Sequence, residues 1–407
     1  MKEQDIIVGL DIGTTKICAV VGEKEGDKIN IIGIGMHPSE GLRKGVVVDI
    51  ESTVGSIKKA VEEAELMAGC EISNAYVGIA GGHISSFNSR GVIAIKGREI
   101  TRADLERVRE AASAVAIPMD REIIHILPQE YIVDDESGIQ NPVGMTGVRL
   151  EVKIHIVTGA VASAHNIVKC AHRAGLDVCD VVLESLASGE AVLTDEEKTL
   201  GAALIDMGGG TSDLAVFCGG NIRHTFVLSL GGNNLTNDIA IGLRTPHSEA
   251  EKIKKRFVSP ISGREGAIGE IEVKRTGGRN SEKVPVHILN EIIAPRMEEI
   301  FTLINREIIS KGAADEITTG VVLTGGAALL DGACEIAESI INQPTRLGRP
   351  IGISGLVDVV NNPMYATGVG LVLYGARNES ARKFRIRDAN IFNRLISRMK
   401  RWFKEIA

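Results

Sequence analysis

A chain of 407 residues is long enough for two or more domains around a large core, with about three quarters of its surface buried. Its composition, 44% hydrophobic with 3% aromatic residues and 46 glycines, is that of an ordinary globular protein, and a net charge of −7 argues against a general nucleic-acid binder. The charge is unevenly spread, because ten basic residues face three acidic ones from Arg377 onward, which makes that end +7 and the remainder −14. Six cysteines (Cys18, Cys70, Cys170, Cys179, Cys218, Cys334) lie in apolar contexts without paired spacing, so reduced core thiols are expected rather than a metal site. The polar start leads into only five apolar residues, which predicts neither a signal peptide nor a spanning helix.

In chain order, residues 6–10 read as a buried strand that stops at Asp11-Ile-Gly-Thr-Thr-Lys16. Residues 17–21 continue as a strand, turn through 22–28 and return over 29–35. A strand over 46–48 ends at Asp49 and Ser52, either of which can cap a helix running to about Ala68. Residues 76–80 form a buried strand into Gly81-Gly82. The texture then changes: strands over 91–96, 123–127 and 148–157 and a helix opened at Thr101 and running to Ala116 predict a small inserted α+β subdomain. His125, His155 and the Gln129-Glu130 pair inside it read as structural or interface residues. A helix over 163–174 closes at Gly175, and a strand over 178–183 reaches Glu184, where a helix continues to Val192.

Next comes the stretch that organises the chain, Leu204-Ile-Asp-Met-Gly-Gly-Gly-Thr-Ser-Asp213. An apolar strand breaks into Gly208, Gly209 and Gly210, whose bare backbone can approach an anion, and Thr211 and Ser212 add hydroxyl donors. Residues 214–218 start another strand, so this loop joins a hairpin, as no Walker or Rossmann loop does. With the unit at Asp11 it forms a repeat, which predicts a duplicated α/β fold clasping a nucleotide between its halves. The return strand spans 222–228. After Gly231-Gly232, Asn233 or Asn234 is expected to cap a helix, and a basic helix covers 249–257. Residues 259–283 are glycine-rich and strand-poor. An amphipathic helix covers 291–309, a buried strand over 320–324 enters Gly325-Gly326-Ala327, and a helix follows over 329–341. Met364 opens a last packed helix ending at Gly375, and 377–389 read as a charged linker.

Taken in order, Asp11-Ile-Gly-Thr-Thr15, Glu184 at a strand-to-helix junction, Asp206-Met-Gly-Gly-Gly-Thr211, Thr324-Gly-Gly-Ala327 and Ala366-Thr-Gly368 resemble the five-part ATPase signature of the actin, Hsp70 and sugar-kinase superfamily, over residues 5–376. Within it, the wording Asp-Ile-Gly-Thr-Thr-Lys-Ile-Cys, Ala-Ile-Pro-Met-Asp-Arg-Glu-Ile, Leu-Pro-Gln-Glu-Tyr and Val-Leu-Thr-Gly-Gly-Ala-Ala is similar to the FtsA family of bacterial cell-division actin homologues. That resemblance implies an actin-like fold and ATP with Mg²⁺ as cofactors, Asp11 and Asp206 holding the ion through water. Gly13, Thr14, Thr15 and Gly208 to Thr211 would donate to the phosphates, with Lys16 as an added point charge or simply an exposed strand lysine. Gly231 and Gly232 would pass near ribose or phosphates, Glu251 would meet the ribose, the stems of Lys254 and Lys255 the adenine, and Gly325, Gly326 and Ala327 its other side. Glu184 would orient an attacking water in a slow ATPase.

The resemblance also implies the partners and a division of the chain. Residues 1–83 with 161–201, and 202–233 with 306–376, would be the two core subdomains, 84–160 the insert, and 234–305 a small subdomain capping the nucleotide and receiving the acidic, apolar tail of the tubulin-like FtsZ. For that contact the helix near Lys252 and Arg256 and the one bearing Arg296 and Asn305 are expected. The insert would meet a neighbouring protomer of a filament or later division proteins. Residues 390–407 place Ile391, Phe392, Leu395, Ile396, Met399, Trp402 and Phe403 on one helical face and Arg394, Arg398, Lys400 and Arg401 around it. Eighteen residues span about 27 Å as a helix, but these charges forbid crossing a bilayer, so the segment is expected to lie flat on anionic lipid at the inner face of the cytoplasmic membrane. A pilus-assembly scaffold and a small-molecule kinase of the same superfamily are the rival readings, and the kinase leaves the tail unexplained.

Overall fold

The structure, a computed structural model, describes residues 6–26, 28–257, 269–276 and 281–378. Two sheets carry the chain. The first runs Asp177–Leu183, Asn74–Ile79, Ile6–Ile12, Lys16–Glu25, Lys28–Pro38 and Ser354–Gly355, and the second Asn221–Leu228, Ser212–Cys218, Ala202–Met207, Val321–Thr324 and Thr345–Leu347. In each, a three-stranded antiparallel meander is extended on its first-formed strand by two parallel strands. The same five-strand plan made twice is the duplication that the two Asp-x-Gly units predict.

Helices Glu184–Val192 and Ala366–Arg377 belong to a core cluster that draws on both sheets, with Val20 and Val182 from one and Leu204, Phe217 and Val322 from the other. Small residues make the close approach possible: a Cβ on Gly370 would lie 1.8 Å from the Ala187 carbonyl oxygen. On the outer face of the first sheet, helix Ile50–Ala68 begins where Asp49 accepts the Ser52 N–H at 3.2 Å and ends at Gly69, whose φ of 66° suits glycine.

The insert is a four-stranded antiparallel sheet ordered Ser85–Glu99, Thr146–Ala160, Arg121–Val133 and Glu136–Ile139, backed by helix Arg102–Ser113 behind a Thr101–Asp104 capping box. It leaves the first sheet but grips the edge strand of the second. Gln129 Nε2 donates to the carbonyls of Ile222 (3.0 Å) and Arg223 (2.9 Å), Ser86 Oγ donates to the Thr225 carbonyl (2.8 Å), and His155 Nε2 meets Thr225 Oγ1 at 2.8 Å.

His155 and His125 are buried, and both are partnered: His155 Nδ1 meets Asn88 at 2.6 Å and His125 Nε2 accepts the Leu183 N–H at 3.0 Å. Burial holds the His155 imidazole down at about 3, with the neighbouring His224 adding to it, and burial alone holds His125 at about 4. Their folded values lie below the unfolded one, so the stabilisation is complete above pH 6.5 and is lost as pH falls toward 4 and then 3. Chemical denaturation at pH 7 and pH 5 is expected to differ by about 2 kcal/mol for each histidine. His155→Gln should flatten that slope, and an unchanged slope would contradict the assignment.

Several boundaries differ from the sequence reading. The second helix stops at Ser113, and the strand expected over 46–48 is a two-residue pairing of Val46–Val47 with Leu42–Arg43. Helix Gly232–Gly242 starts from Gly231, and Asn234 lies inside it, its side chain accepting the Gly231 N–H at 3.1 Å. The stretch read as strand-poor holds a hairpin of Glu270–Val273 with Glu282–Pro285. The long helix spans Val286–Ser310, five residues earlier than its apolar stripe indicates and with Pro295 inside it. In place of one helix over 329–341, a 3-10 turn at Gly326–Leu329 precedes helix Ala333–Ile341. The last helix is Ala366–Arg377, after a 3-10 turn at Pro363–Tyr365, so Arg377 is helical rather than linker.

Candidate functional site

Asp11 and Asp206 lie near the ends of equivalent strands in the two matching sheets, each almost fully buried. The turns that follow them touch. A Cβ on Gly209 would stand 2.2 Å from Thr15 Cγ2 and one on Gly210 2.5 Å from Thr14 Oγ1, so nothing larger than glycine fits there without displacing the opposite turn. The Gly208 N–H closes its turn on the Thr211 carbonyl at 2.9 Å. Its own carbonyl and that of Gly209 accept the N–H groups of Gly232 (2.9 Å) and Asn233 (2.8 Å), which gives the first turn of the next helix its partners. Gly231 passes between the Gly208, Gly209 and Thr211 carbonyls, where a Cβ would come within 3.0 Å of all three.

Four carboxylates converge here. Asp206 faces Asp213 directly across the hairpin, and its Oδ2 accepts Ser188 Oγ at 2.5 Å and Thr367 Oγ1 at 3.1 Å. Asp213 Oδ2 accepts Thr211 Oγ1 at 2.8 Å, while its Oδ1 is buried with no partner among the described residues. Burial first, then the Asp206 charge, pushes Asp213 up to about 8, with the Thr211 bond pulling the other way. Burial also raises Asp206, as does repulsion from Asp11, against the two hydroxyl bonds. Glu184, at the first turn of its helix beside Gly78, is held well above the carboxylate range by burial and then by the charges of Asp11, Asp213 and Asp206. Among the described residues one cation answers them: Lys16 Nζ donates to Asp11 Oδ2 at 2.7 Å, and although burial lowers the ammonium, Asp11 and the other negative groups around it together hold it raised. Lys16 is therefore a half-buried ion-pair partner and not an exposed strand lysine.

Crowded carboxylate oxygens with a buried orphan acceptor and a single opposing charge suit a hard divalent cation. Among the described residues no group of three or more His, Cys, Asp or Glu side chains is arranged to hold a metal ion.

A second cluster lies against the first. Lys254 Nζ donates to the Gly232 carbonyl (3.0 Å) and Thr236 Oγ1 (2.8 Å) and pairs with Glu251 at 2.7 Å, while Glu251 accepts Thr236 Oγ1 and pairs with the exposed Lys255 at 3.4 Å. A Cβ on Gly232 would touch Ala327 at 3.4 Å, so helix His247–Phe257 and the turn at Gly325–Ala327 meet over Gly232. Gly325, at a φ of 87°, reaches back to Asp206, where a Cβ would stand 2.3 Å from Oδ1, whereas Gly326 faces open space. Gly13 packs on the Lys16 carbonyl. The structure thus places Thr14, Thr15, Gly208 to Thr211, Gly231, Gly232, Glu251, Lys254, Gly325 and Ala327 in one contiguous set of contacts, while Lys255 is exposed and Gly326 faces open space. The expected lipid-facing residues Ile391 to Phe403 lie outside the described residues; among the described ones no helix is long and apolar enough to cross a membrane.

The sequence reading missed Ser188, Thr367 and Asp213 as parts of the site. Thr367 and Asp213 sit inside motifs it quoted, and Ser188 lies one helical turn after Glu184, so the 3.6-residue period would have found it.

Known proteins resemble the chain in the same terms. A family profile described as the SHS2 domain inserted in FTSA matches residues 81–158, and one described as cell division protein FtsA matches residues 203–370. The "Cell division protein FtsA" of Pseudomonas aeruginosa is 51% identical over 376 residues, 92% of this chain and 90% of that protein. Among solved structures, the "PilM-PilN type IV pilus biogenesis complex" aligns over 91% of this chain and 98% of its own with a TM-score of 0.67 at 15% identity. MreB 5 of Spiroplasma citri bound to AMPPNP aligns over 93% and 98% with a TM-score of 0.56 at 16% identity, and both likenesses speak for the fold alone. Two equivalent sheets closing on paired aspartates, an insert and a second half that match the family's two profiles, and half-identity to a full-length relative place this chain in the FtsA family of actin-like cell division proteins.

Proposed function

We propose that this chain binds ATP with Mg²⁺ in the cleft between its halves, polymerises at the inner face of the cytoplasmic membrane, and tethers FtsZ there for the recruitment of later division proteins. The observation that carries the reading is the facing pair of glycine turns with Asp11, Asp206, Asp213 and Glu184 behind them. Membership of a cell-division family with an actin-like fold supports it, as does the AMPPNP bound to a structural neighbour.

In this reading Gly13, Thr14, Thr15 and Gly208 to Thr211 donate N–H and O–H groups to the phosphates, while Asp11 and Asp206 hold the hydrated ion. The ion supplies charge neutralisation for the phosphate oxygens. Ser188 and Thr367 fix the Asp206 carboxylate, and Lys16 fixes Asp11. Glu251, Lys254 and Lys255 face the nucleoside from one side and Gly325 to Ala327 from the other. Glu184 orients a water for slow hydrolysis in the service of polymerisation.

The basic amphipathic segment 390–407 is the proposed foot on anionic lipid, each cation near the surface adding about 1 kcal/mol. Residues 234–305 are the proposed seat of the FtsZ tail. Co-sedimentation with FtsZ and anionic liposomes tests this directly: the full chain should pellet with lipid and carry FtsZ with it, and a chain ending at Asp388 should stay in the supernatant. Equal pelleting of the two chains would refute the foot.

A further inference from the structure

Away from the paired aspartates and glycine turns, a cavity of about 490 Å³ opens where the insert meets the second half. It draws Gln129, Glu130 and Lys153 from the insert, Arg223 and His224 from the edge strand of the second sheet, and Lys311 and Glu316 from the end of the long helix and the turn after it. Its volume falls within the range of small-ligand sites. The cations in it are not equivalent. Lys153 is spent on Glu130 at 2.7 Å, and Glu307 takes His224 at 3.0 Å and Lys311 at 3.9 Å.

Arg223 is different. Its charge reaches Glu130, yet among the described residues it forms no ion pair and its buried Nε has no hydrogen-bond partner. A buried charged donor without an acceptor is costly, and a guanidinium presents a planar fork whose geometry matches two oxygens of one anion. Gln129, which could have served it, donates instead to the backbone carbonyls of Ile222 and Arg223. Lys153 and Lys311 stand in the same wall as Glu130 and Glu316, which leaves Arg223 as the cation of this lining that no carboxylate among the described residues meets directly.

We propose that this junction is a binding site for an oxyanion, a carboxylate or a phosphate group, taken up by Arg223 with support from Lys311, whose 3.9 Å pair with Glu307 is the loosest of those around the cavity. Because its walls come from the insert and from the second half, a bound anion adds a bridge to the Gln129, Ser86 and His155 contacts across the same boundary and strengthens the grip between them.

The test uses the full chain held in saturating Mg·ATP, and again without nucleotide, so that phosphate uptake in the nucleotide cleft is separated from uptake here. Inorganic phosphate and succinate are titrated in turn, and binding is read by thermal shift and by chemical-shift changes in arginine side-chain resonances. At least one of the two should saturate with Mg·ATP present, and Arg223→Gln should weaken it at least tenfold with ATP affinity unchanged. Lys311→Gln should weaken it by a smaller factor and keeps the test decisive should the first variant lose stability. Saturation by phosphate alone assigns a phosphate group, and saturation by succinate assigns a carboxylate. No saturation by either anion, or equal titrations in wild type and Arg223→Gln, overturns the proposal, whereas failure of ATP to bind would count against the nucleotide cleft only.

Discussion

Replacing Asp206 by asparagine is expected to weaken Mg·ATP binding on the order of a hundredfold while raising the melting temperature of the nucleotide-free protein by about 2 °C or more. The two effects share one cause. Asp206 faces Asp213 across a strand pair, with Glu184 and Asp11 close enough to raise or be raised by it, so its charge is unfavourable until a cation arrives. An amide keeps an oxygen to accept the Ser188 and Thr367 hydroxyls, so local packing survives while the charge is removed. A hundredfold loss of affinity corresponds to about 2.8 kcal/mol, within reach of one carboxylate that neutralises a divalent ion. Calorimetry with ATP and differential scanning of the free protein read the two effects separately, and a variant that loses both affinity and stability would indicate a purely structural aspartate.

The largest stability effect is expected at Gly370. Its Cβ position is occupied by the Ala187 carbonyl oxygen at 1.8 Å and the carbonyl carbon at 2.4 Å, backbone atoms that no rotamer change can move. Gly370→Ala must therefore push helix Ala366–Arg377 away from helix Glu184–Val192, in the core cluster shared by the two sheets. Overpacking of this kind costs about 3 kcal/mol or more. It also separates Thr367 from Ser188, 3.1 Å apart, and loosens the grip on Asp206. Urea unfolding should show the loss in the midpoint, and Gly370→Ser should behave alike. A midpoint within experimental scatter of wild type would mean that the helices are not packed as described.

The parts of this architecture legible in the sequence are those set by short-range rules. The Asp49 cap is one, because a side-chain acceptor before a helix has a single local task, and the hairpins around Asp11 and Asp206 are others, because strand period and glycine turns are local. The duplication was readable because the same turn chemistry occurs twice. What the sequence could not reveal depends on distant neighbours. The hairpin of Glu270–Val273 with Glu282–Pro285 alternates too few residues to signal itself, and Pro295 lies inside a helix that its packing on the second sheet maintains. Asn234 moved from cap to helix because the Gly208 and Gly209 carbonyls already serve the helix start. Ser188 and Thr367 look like ordinary helix residues until two helices bring them to one carboxylate. The Arg223 cavity is a tertiary feature altogether, made by an edge strand, an insert and a helix end that are far apart in the chain.

Calorimetric titration of ATP into the full-length chain, with Mg²⁺ and then with a chelator, tests the central claim most directly. The account predicts one site per chain that is saturated with Mg²⁺ present and at least tenfold weaker without it, because in the proposed function Asp11 and Asp206 would hold the hydrated ion that neutralises the phosphates. A well-folded protein that takes up no ATP, or binds it equally with and without the ion, would contradict it.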